Sequence, residues 1–165
     1  NFGRAIEGFA ACLDVPANGL LLIAGAGSEA QRLETLAHRL GISDHVRFLG
    51  HVDNPYPLIA GSAGVIVPSL YEGCPNVAME AVALGRPLLL SDIAEHRKIF
   101  DEGVANFFQV DSTTDCARGI DQMFRSHLHC MSSTYEIRQA ELLESWSPEG
   151  VAHRDGEVLK SVLRG

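Results

Sequence analysis

Apolar residues at Phe2, Ala5, Ile6, Phe9, Ala10 and Leu13 recur at helical spacing, so the chain opens with a helix that buries one face. At 20–24 the pattern becomes a short continuous apolar run between Gly19 and Gly25, which predicts a strand buried on both faces. A second helix is expected over 28–40, opened by Ser28 and closed by Gly41. Residues 46–49 and 64–68 read as further strands, with a short helix over about 55–60 between them. The stretch 77–84 is helical, 87–90 a fourth buried strand, 93–100 a short helix and 106–110 a fifth strand. Helices fill the remainder, the last over 147–163 with Pro148 in its first turn.

Strands alternate with helices, and the strands are apolar runs, not polar–apolar alternations. That arrangement predicts an α/β fold, a doubly wound parallel sheet with helices on both faces. Ligands of such sheets lie beyond the carboxyl ends of the strands, which directs attention to the turns 25–29, 50–55, 68–76 and 91–95. A doubly wound domain usually opens with a strand. The opening helix therefore suggests that 1–165 is a single domain of a larger enzyme whose first strand is missing.

Composition narrows the options. The chain has 165 residues, enough for one domain with a real core, and no repeat or low-complexity stretch. It is 46% hydrophobic and 21% charged, with a formal net charge of -8, which argues against general nucleic-acid binding. A small anion held by backbone amides needs no net positive charge and stays open. No apolar run approaches the ~20 residues of a membrane span, nor is there a signal-peptide pattern. Cys12, Cys74, Cys116 and Cys130 contain no C-x-x-C pair, so reduced thiols in a cytoplasmic protein are expected. His127, His129 and Cys130 are spaced so that the histidines fall on different sides of a helix, and they read as surface groups, not metal ligands.

The richest turn runs from Pro68 to Pro87, out of a buried strand and into a helix. Pro75 suits the entry to a helix, and Asn76 or a neighbour is expected as its N-cap. Gly73 lets the backbone approach a ligand closely. Free amides around Cys74, Asn76 and Val77, aided by the helix dipole, form an anion site. Glu80 then stands in a helix that is apolar at every other position from Val77 to Leu84 and so reads as buried nearly all round. A carboxylate there costs several kcal/mol unless compensated, by the usual order of magnitude. No Lys or Arg stands at 76, 77, 83 or 84, so ligand hydroxyls are suitable partners. With Glu72 ahead of the helix start and Glu80 one turn in, two carboxylates flank the anion. This suggests a diphosphate with ribose at one end and a sugar at the other. The residues alone leave open a solvated Glu72 and a Glu80 paired with a distant arginine.

The stretch Glu72-Gly-Cys-Pro-Asn-Val-Ala-Met-Glu80-Ala, followed by Ala83-Leu-Gly-Arg-Pro87, resembles the E-x7-E signature of retaining glycosyltransferases of family four, group 1 type. The likeness runs over about 2–110. It takes in Leu21-Leu-Ile-Ala-Gly-Ala-Gly27, Val46-Arg-Phe-Leu-Gly50, Asn54-Pro-Tyr-Pro57 before Val67-Pro-Ser69, and Ser91-Asp-Ile-Ala-Glu-His-Arg97. The resemblance implies the C-terminal, Rossmann-like, donor-binding half of a two-domain GT-B enzyme. It implies that Glu72 binds donor-sugar hydroxyls and is the catalytic candidate, and that Glu80 binds the ribose hydroxyls. Amides from Gly73 to Val77, Pro75 between them, then meet sugar and diphosphate. Leu49, Gly50 and Val52 lie beside the base, and Gly25 and Gly27 line the same cleft. It further implies a UDP- or GDP-hexose donor, no metal and no cofactor, front-face attack with the leaving diphosphate helping to deprotonate the acceptor, and an N-terminal partner domain. The expected acceptor is a saccharide or lipid-linked saccharide of cell-surface polysaccharide, lipopolysaccharide or glycolipid assembly. The expected setting is cytoplasmic, peripheral at the inner membrane face.

The family's diphosphate-clamping Arg and Lys belong just before the first helix and have no match here, Arg4 lying too far into that helix. The piece as given is therefore expected to bind a donor weakly and catalyse nothing. Three alternatives stand beside this reading, one of them a non-enzymatic, degenerate glycosyltransferase domain kept for assembly, which the presence of both Glu72 and Glu80 disfavours. Gly25-Ala-Gly27-Ser-Glu-Ala30 fits the G-x-G-x-x-[GA] fingerprint of NAD-type oxidoreductases, but Asp44 and Asp53 are misplaced for its ribose acid, and Glu80 stays unexplained. A GT-B nucleotide-sugar epimerase would bind a similar ligand. Cys74 reads as a pocket-lining residue with no activating His or Lys. Glu95, His96 and Arg97 face either the cleft or solvent.

Overall fold

The computed structural model describes residues 1–12, 19–128 and 133–147. The expectations for Leu13, for the His127, His129 and Cys130 side chains and for a last helix over 147–163 lie outside that description. The chain divides into two compact units, Asn1–Cys130 and Met131–Gly165. The first holds α1 (Phe2–Ala11), β1 (Leu21–Ala24), α2 (Ala30–Arg39), β2 (Val46–Gly50), α3 (Tyr56–Gly61), β3 (Val65–Val67), α4 (Asn76–Ala83), β4 (Leu88–Ser91), α5 (Ala94–Arg97), β5 (Asn106–Phe108) and α6 (Thr113–Leu128). The second contributes α7 (Ser133–Trp146). The predicted alternation is present, with boundaries moved by a few residues.

All strand pairs are parallel. They form a two-stranded sheet, β1–β2, and a three-stranded sheet, β3–β4–β5. Only the central strand β4 is buried at all four positions, being paired on both edges. The expectation that 20–24 is buried on both faces is not met. Ile23 is buried, whereas Leu20, Leu22 and Ala24 are exposed along β1, which is paired only to β2 among the described residues.

Two glycines end helices for a definite reason. Gly41 has φ 71°, its amide bonds to His38 O, and the Ile42 amide bonds to Ala37 O. Gly85 has φ 64°, with the Gly85 amide on Val82 O and the Arg86 amide on Ala81 O. These are Schellman closures, which need a residue at positive φ just past the last turn.

Helix α1 buries Ala5, Ile6 and Phe9 of the face its spacing predicted, whereas Phe2 is 43% exposed and Ala10 half-buried. It approaches α6 closely enough that a Cβ on Gly8 would stand 2.6 Å from Cys116 Sγ. Gly119 of α6 meets Leu89 of β4 in the same way, at 2.5 Å from Leu89 Cδ1. One core groups Phe9, Leu89, Phe108, Cys116, Ile120 and Met123; another groups Ile6, Ile23, Leu33, Leu36, Ala37 and Val46. Leu21 and Ile42 pack against both. Arg4 bonds to Glu7, Thr113 and Val110 O, so it fastens α1 to the start of α6.

Candidate functional site at the start of helix α4

A cleft of about 720 Å³ runs between the free edges of β1 and β3. It is bounded by Leu20–Ala24, Leu49, Leu58, Val65–Ser69, and the α4 entry Cys74–Val77. Glu72 is the one charged side chain among the described residues that line it. The gap runs along the whole of β1 and β3, and Glu72 borders it beyond the carboxyl end of β3.

Geometry at this turn follows from its residues. Pro75 is the N-cap of α4, at φ -81° and ψ 63°, with no side-chain cap bond. Asn76 is therefore the first helical residue, not the cap expected from sequence. The proline fixes the entry φ and has no N–H to satisfy. The Asn76 side-chain oxygen accepts from Cys74 Sγ at 3.1 Å, and the Asn76 amide donates to Cys74 O at 2.9 Å. The Asn76 amide is thus consumed within the turn, which corrects its expected place among the free donors. The Cys74 and Val77 amides meet no acceptor among the described residues. A Cβ added at Gly73 would meet nothing within 4 Å, so the space in front of that backbone is open.

Helix α4 is less buried than its sequence implies. Ala78, Ala81 and Val82 face the core, whereas Val77 is 47% exposed and Ala83 is exposed too. The correction has a simple cause: one side of this helix borders open space, so apolar residues there meet no partner. Glu80 is half-buried, and its Oε2 is buried without a hydrogen-bond partner among the described residues. It is neither in bulk water nor hydrogen-bonded there to an arginine. Such an atom carries a desolvation penalty of about 1–3 kcal/mol that no hydrogen bond from the described residues offsets.

Glu72 is half-buried, and its Oε1 accepts from Ser69 Oγ at 2.5 Å. Leu70 and Tyr71, just before it, are 66% and 76% exposed. The remaining expected residues are placed unevenly. Leu49 lines the cleft, but Gly25, Gly27, Gly50, Gly73, Val52 and Glu80 are not among its lining residues. Gly25 and Gly50, at φ 129° and 65°, are joined by a 2.7 Å bond from the Gly25 amide to Gly50 O, which ties the ends of β1 and β2 together. Cys74 is exposed, with Asn76 as its polar contact. Among the described residues no three His, Cys, Asp or Glu side chains gather as a metal site. None of the described helices is long and apolar enough to cross a membrane.

Two polar residues of the 91–97 motif are buried near the site, which was not legible in the sequence. Ser91 and His96 are both 0% exposed. Ser91 Oγ donates to Ser69 O at 2.6 Å, and His96 Nδ1 lies 2.8 Å from Ser91 O. His96, expected at the cleft or in solvent, faces neither. Its neighbour Arg97 is exposed, paired with Asp92 and Glu102 and stacked 3.7 Å from the centre of the Phe107 ring. That guanidinium holds the Asp92 carboxyl below its ordinary range. A serine at a strand end is an ordinary turn signal, and only its full burial marks it as different.

Comparison with known proteins is consistent with this arrangement. Residues 5–126 match the model of the family described as glycosyl transferases group 1. A relative from Methanocaldococcus jannaschii, named Uncharacterized glycosyltransferase MJ1607, is 34% identical over 154 residues, covering 88% of this chain and 38% of its own length. Putative glycosyltransferase EpsD of Bacillus subtilis is 29% identical over 123 residues, covering 74% of this chain and 32% of its own. The chain thus spans well under half of these relatives. Among solved structures, Anabaena Alr3699/HepE in complex with UDP and glucose superposes with a TM-score of 0.78 at 20% identity, over 96% of this chain and 44% of that one. The lipopolysaccharide outer core galactosyltransferase WaaB, in its apo form, gives a TM-score of 0.78 at 16% identity, over 97% and 45%. These likenesses carry the fold, a GT-B glycosyltransferase architecture built on parallel sheets flanked by helices.

Proposed function

This chain belongs to the group 1 glycosyl transferases, and on that premise we propose that it is the donor-binding part of a retaining, metal-independent enzyme that takes a nucleotide diphosphate sugar at the start of α4. The observation that carries the reading is the Glu80 carboxylate oxygen, buried one turn into that helix and without a hydrogen-bond partner among the described residues. A ribose hydroxyl donating to Oε2 removes the penalty of that atom, so the ligand completes what the fold leaves unsatisfied. Glu72, at the mouth of the cleft, receives hydroxyls of the transferred sugar. The Cys74 and Val77 amides and the positive end of the α4 dipole face the diphosphate, with Gly73 open in front of it. Leu49, Gly50 and Val52 lie on the base side, next to Gly25 and Gly27.

In this reading the bond from the sugar C1 to the diphosphate oxygen breaks, and the acceptor oxygen forms the new bond to C1 on the same face. The acceptor proton passes to the departing diphosphate. The protein's part is to hold the donor in one geometry and to place fixed donors where negative charge grows. No Lys or Arg lines the described cleft, so binding by this chain alone is weak. The donor is a UDP- or GDP-hexose; Alr3699/HepE is named in complex with UDP-glucose, which favours UDP. The acceptor is a saccharide or lipid-linked saccharide of cell-surface polysaccharide assembly, as the relative named Lipopolysaccharide core biosynthesis glycosyltransferase LpsD of Rhizobium meliloti suggests. An N-terminal partner domain supplies its site, and the setting is the cytoplasmic face of the membrane.

Calorimetry with UDP, GDP and their hexose conjugates tests the reading. The wild-type chain is expected to bind one nucleotide series, and Glu80→Ala to lose at least about tenfold in affinity, the order expected from losing a charged hydrogen-bond acceptor. Equal affinities for the two proteins would overturn the assignment.

A further inference from the structure

We propose that Ser91 and His96 are positioning residues, a buried strut that fixes the Ser69 backbone so that the Ser69 hydroxyl can hold the Glu72 carboxylate in place. The inference rests on the reading of Glu72 as the contact to the donor sugar. Parallel pairing between β3 and β4 ends at Val67 opposite Leu90. Beyond it comes Pro68, with no N–H, and β3 leaves the ladder. Ser91 continues the pairing with its side chain. Its Oγ donates to Ser69 O at 2.6 Å, while its backbone stays in register with Phe108 on the other edge.

The directions of these bonds are determined. The Ser91 carbonyl can only accept, so His96 carries its proton on Nδ1 and donates to Ser91 O at 2.8 Å. Ser91 Oγ, 3.3 Å from the same Nδ1, lies on its acceptor side, which leaves the serine proton for Ser69 O. Ser69 Oγ in turn donates to Glu72 Oε1 at 2.5 Å. Each bond ends on a residue whose hydroxyl makes the next, so the series fixes in turn the positions of Ser91, the Ser69 backbone and the Glu72 carboxylate. His96 Nε2, in contrast, is buried with no partner among the described residues. A fully buried imidazole that uses one nitrogen and strands the other is explained by the job of that one nitrogen.

The test exploits this asymmetry. An asparagine amide nitrogen falls near the place of Nδ1, whereas a glutamine reaches towards Nε2. Affinities for UDP-glucose and for UDP (or GDP-mannose and GDP, whichever pair the wild type binds) are compared by calorimetry. Ser69→Ala and Ser91→Ala are each expected to weaken nucleotide-sugar binding about tenfold, the loss typical of one hydrogen bond to a charged group. Binding of the free nucleoside diphosphate stays within about twofold. His96→Asn is expected to keep the wild-type preference, and His96→Gln to follow Ser91→Ala. Parallel losses for sugar and diphosphate, or no loss, would overturn the proposal, since a merely structural role does not distinguish the two ligands. A crystal structure of ligand-free Ser91→Ala gives an independent answer: the Ser69–Glu72 bond is expected to open, and its persistence at 2.5 Å would refute the strut. Should Ser91→Ala not fold, Ser91→Cys takes its place. A wild-type chain that binds no nucleotide sugar defeats the proposed function instead, leaving the strut to be judged on that crystal structure.

Discussion

At the scale of single residues, the site is built around groups that the fold leaves in debt. Glu80 Oε2 is buried without a hydrogen-bond partner among the described residues, so replacing the side chain removes a penalty from the folded protein. Glu80→Ala is therefore expected to leave thermal stability unchanged or raise it by about 1 kcal/mol, while nucleotide binding falls. Thermal unfolding of the two proteins, with and without nucleotide, checks both halves; a variant that is clearly less stable without ligand shows that Glu80 had a protein partner after all. Cys116 shows how burial, the largest of several influences, tunes a residue. Desolvation pushes its thiol up to about 12, from about 9 when unfolded. Between those values the unfolded chain gives up a proton that the folded chain keeps, so stability is intact below pH 9 and falls as pH rises towards 12. The expected slope is about 1.4 kcal/mol per pH unit. Denaturant titrations at stepped alkaline pH should show that slope reduced in Cys116→Ala; an unchanged slope assigns the alkaline loss to other groups.

At the scale of elements, helices meet where a side chain is absent. Gly8 lets α1 approach α6 so closely that an added Cβ would lie 2.6 Å from Cys116 Sγ and 2.9 Å from its Cβ. Gly8→Ala gains helix propensity but overpacks this crossing, and the net loss is expected at about 1–3 kcal/mol. Chemical denaturation of the variant measures it. Gly8→Ala combined with Cys116→Ala should recover part of the loss, and the absence of any recovery would place the strain elsewhere. Arg4 fastens the same two helices at their ends, through Thr113 and Val110 O. The α1–α6 pair is thus held by a close approach in its middle and by polar bonds at one end, while the α4 entry is shaped by Pro75 and the Cys74–Asn76 turn.

At the scale of the whole molecule, β4 is the strand on which the first unit depends. Leu89 is fully buried among Phe9, Phe108, Cys116, Ile120 and Met123. Leu89→Ala is expected to cost about 2–5 kcal/mol. Because Leu21 and Ile42 pack against both cores, the loss should be felt in the β1–β2 sheet as well. Hydrogen exchange of the β1 and β4 amides in that variant tests the coupling. Protection retained in β1 but lost in β4 would show that the two sheets unfold separately. The same architecture explains the location of the cleft, since the free edges of β1 and β3 face it and Glu72 sits at its mouth.

The sequence by itself determined the alternation of strands and helices, the parallel pairing, the glycine closures at Gly41 and Gly85, and the turn that carries Glu72 and Glu80. All of these are encoded by local patterns of a few neighbouring residues, which burial and backbone sterics read directly. Tertiary structure alone decided which faces stay open: β1 and α4 are apolar enough to be covered on all sides, yet Leu22 and Val77 are 43% and 47% exposed. It also decided that Asn76 is not the helix cap and that its amide is already used. The Ser69–Ser91–His96 connection had no local signature, since its members lie 22 and 5 residues apart and meet only because β3 and β4 pair side by side. Hydrogen bonds between distant polar residues depend on where the backbone ends up, and no spacing along the chain announces them.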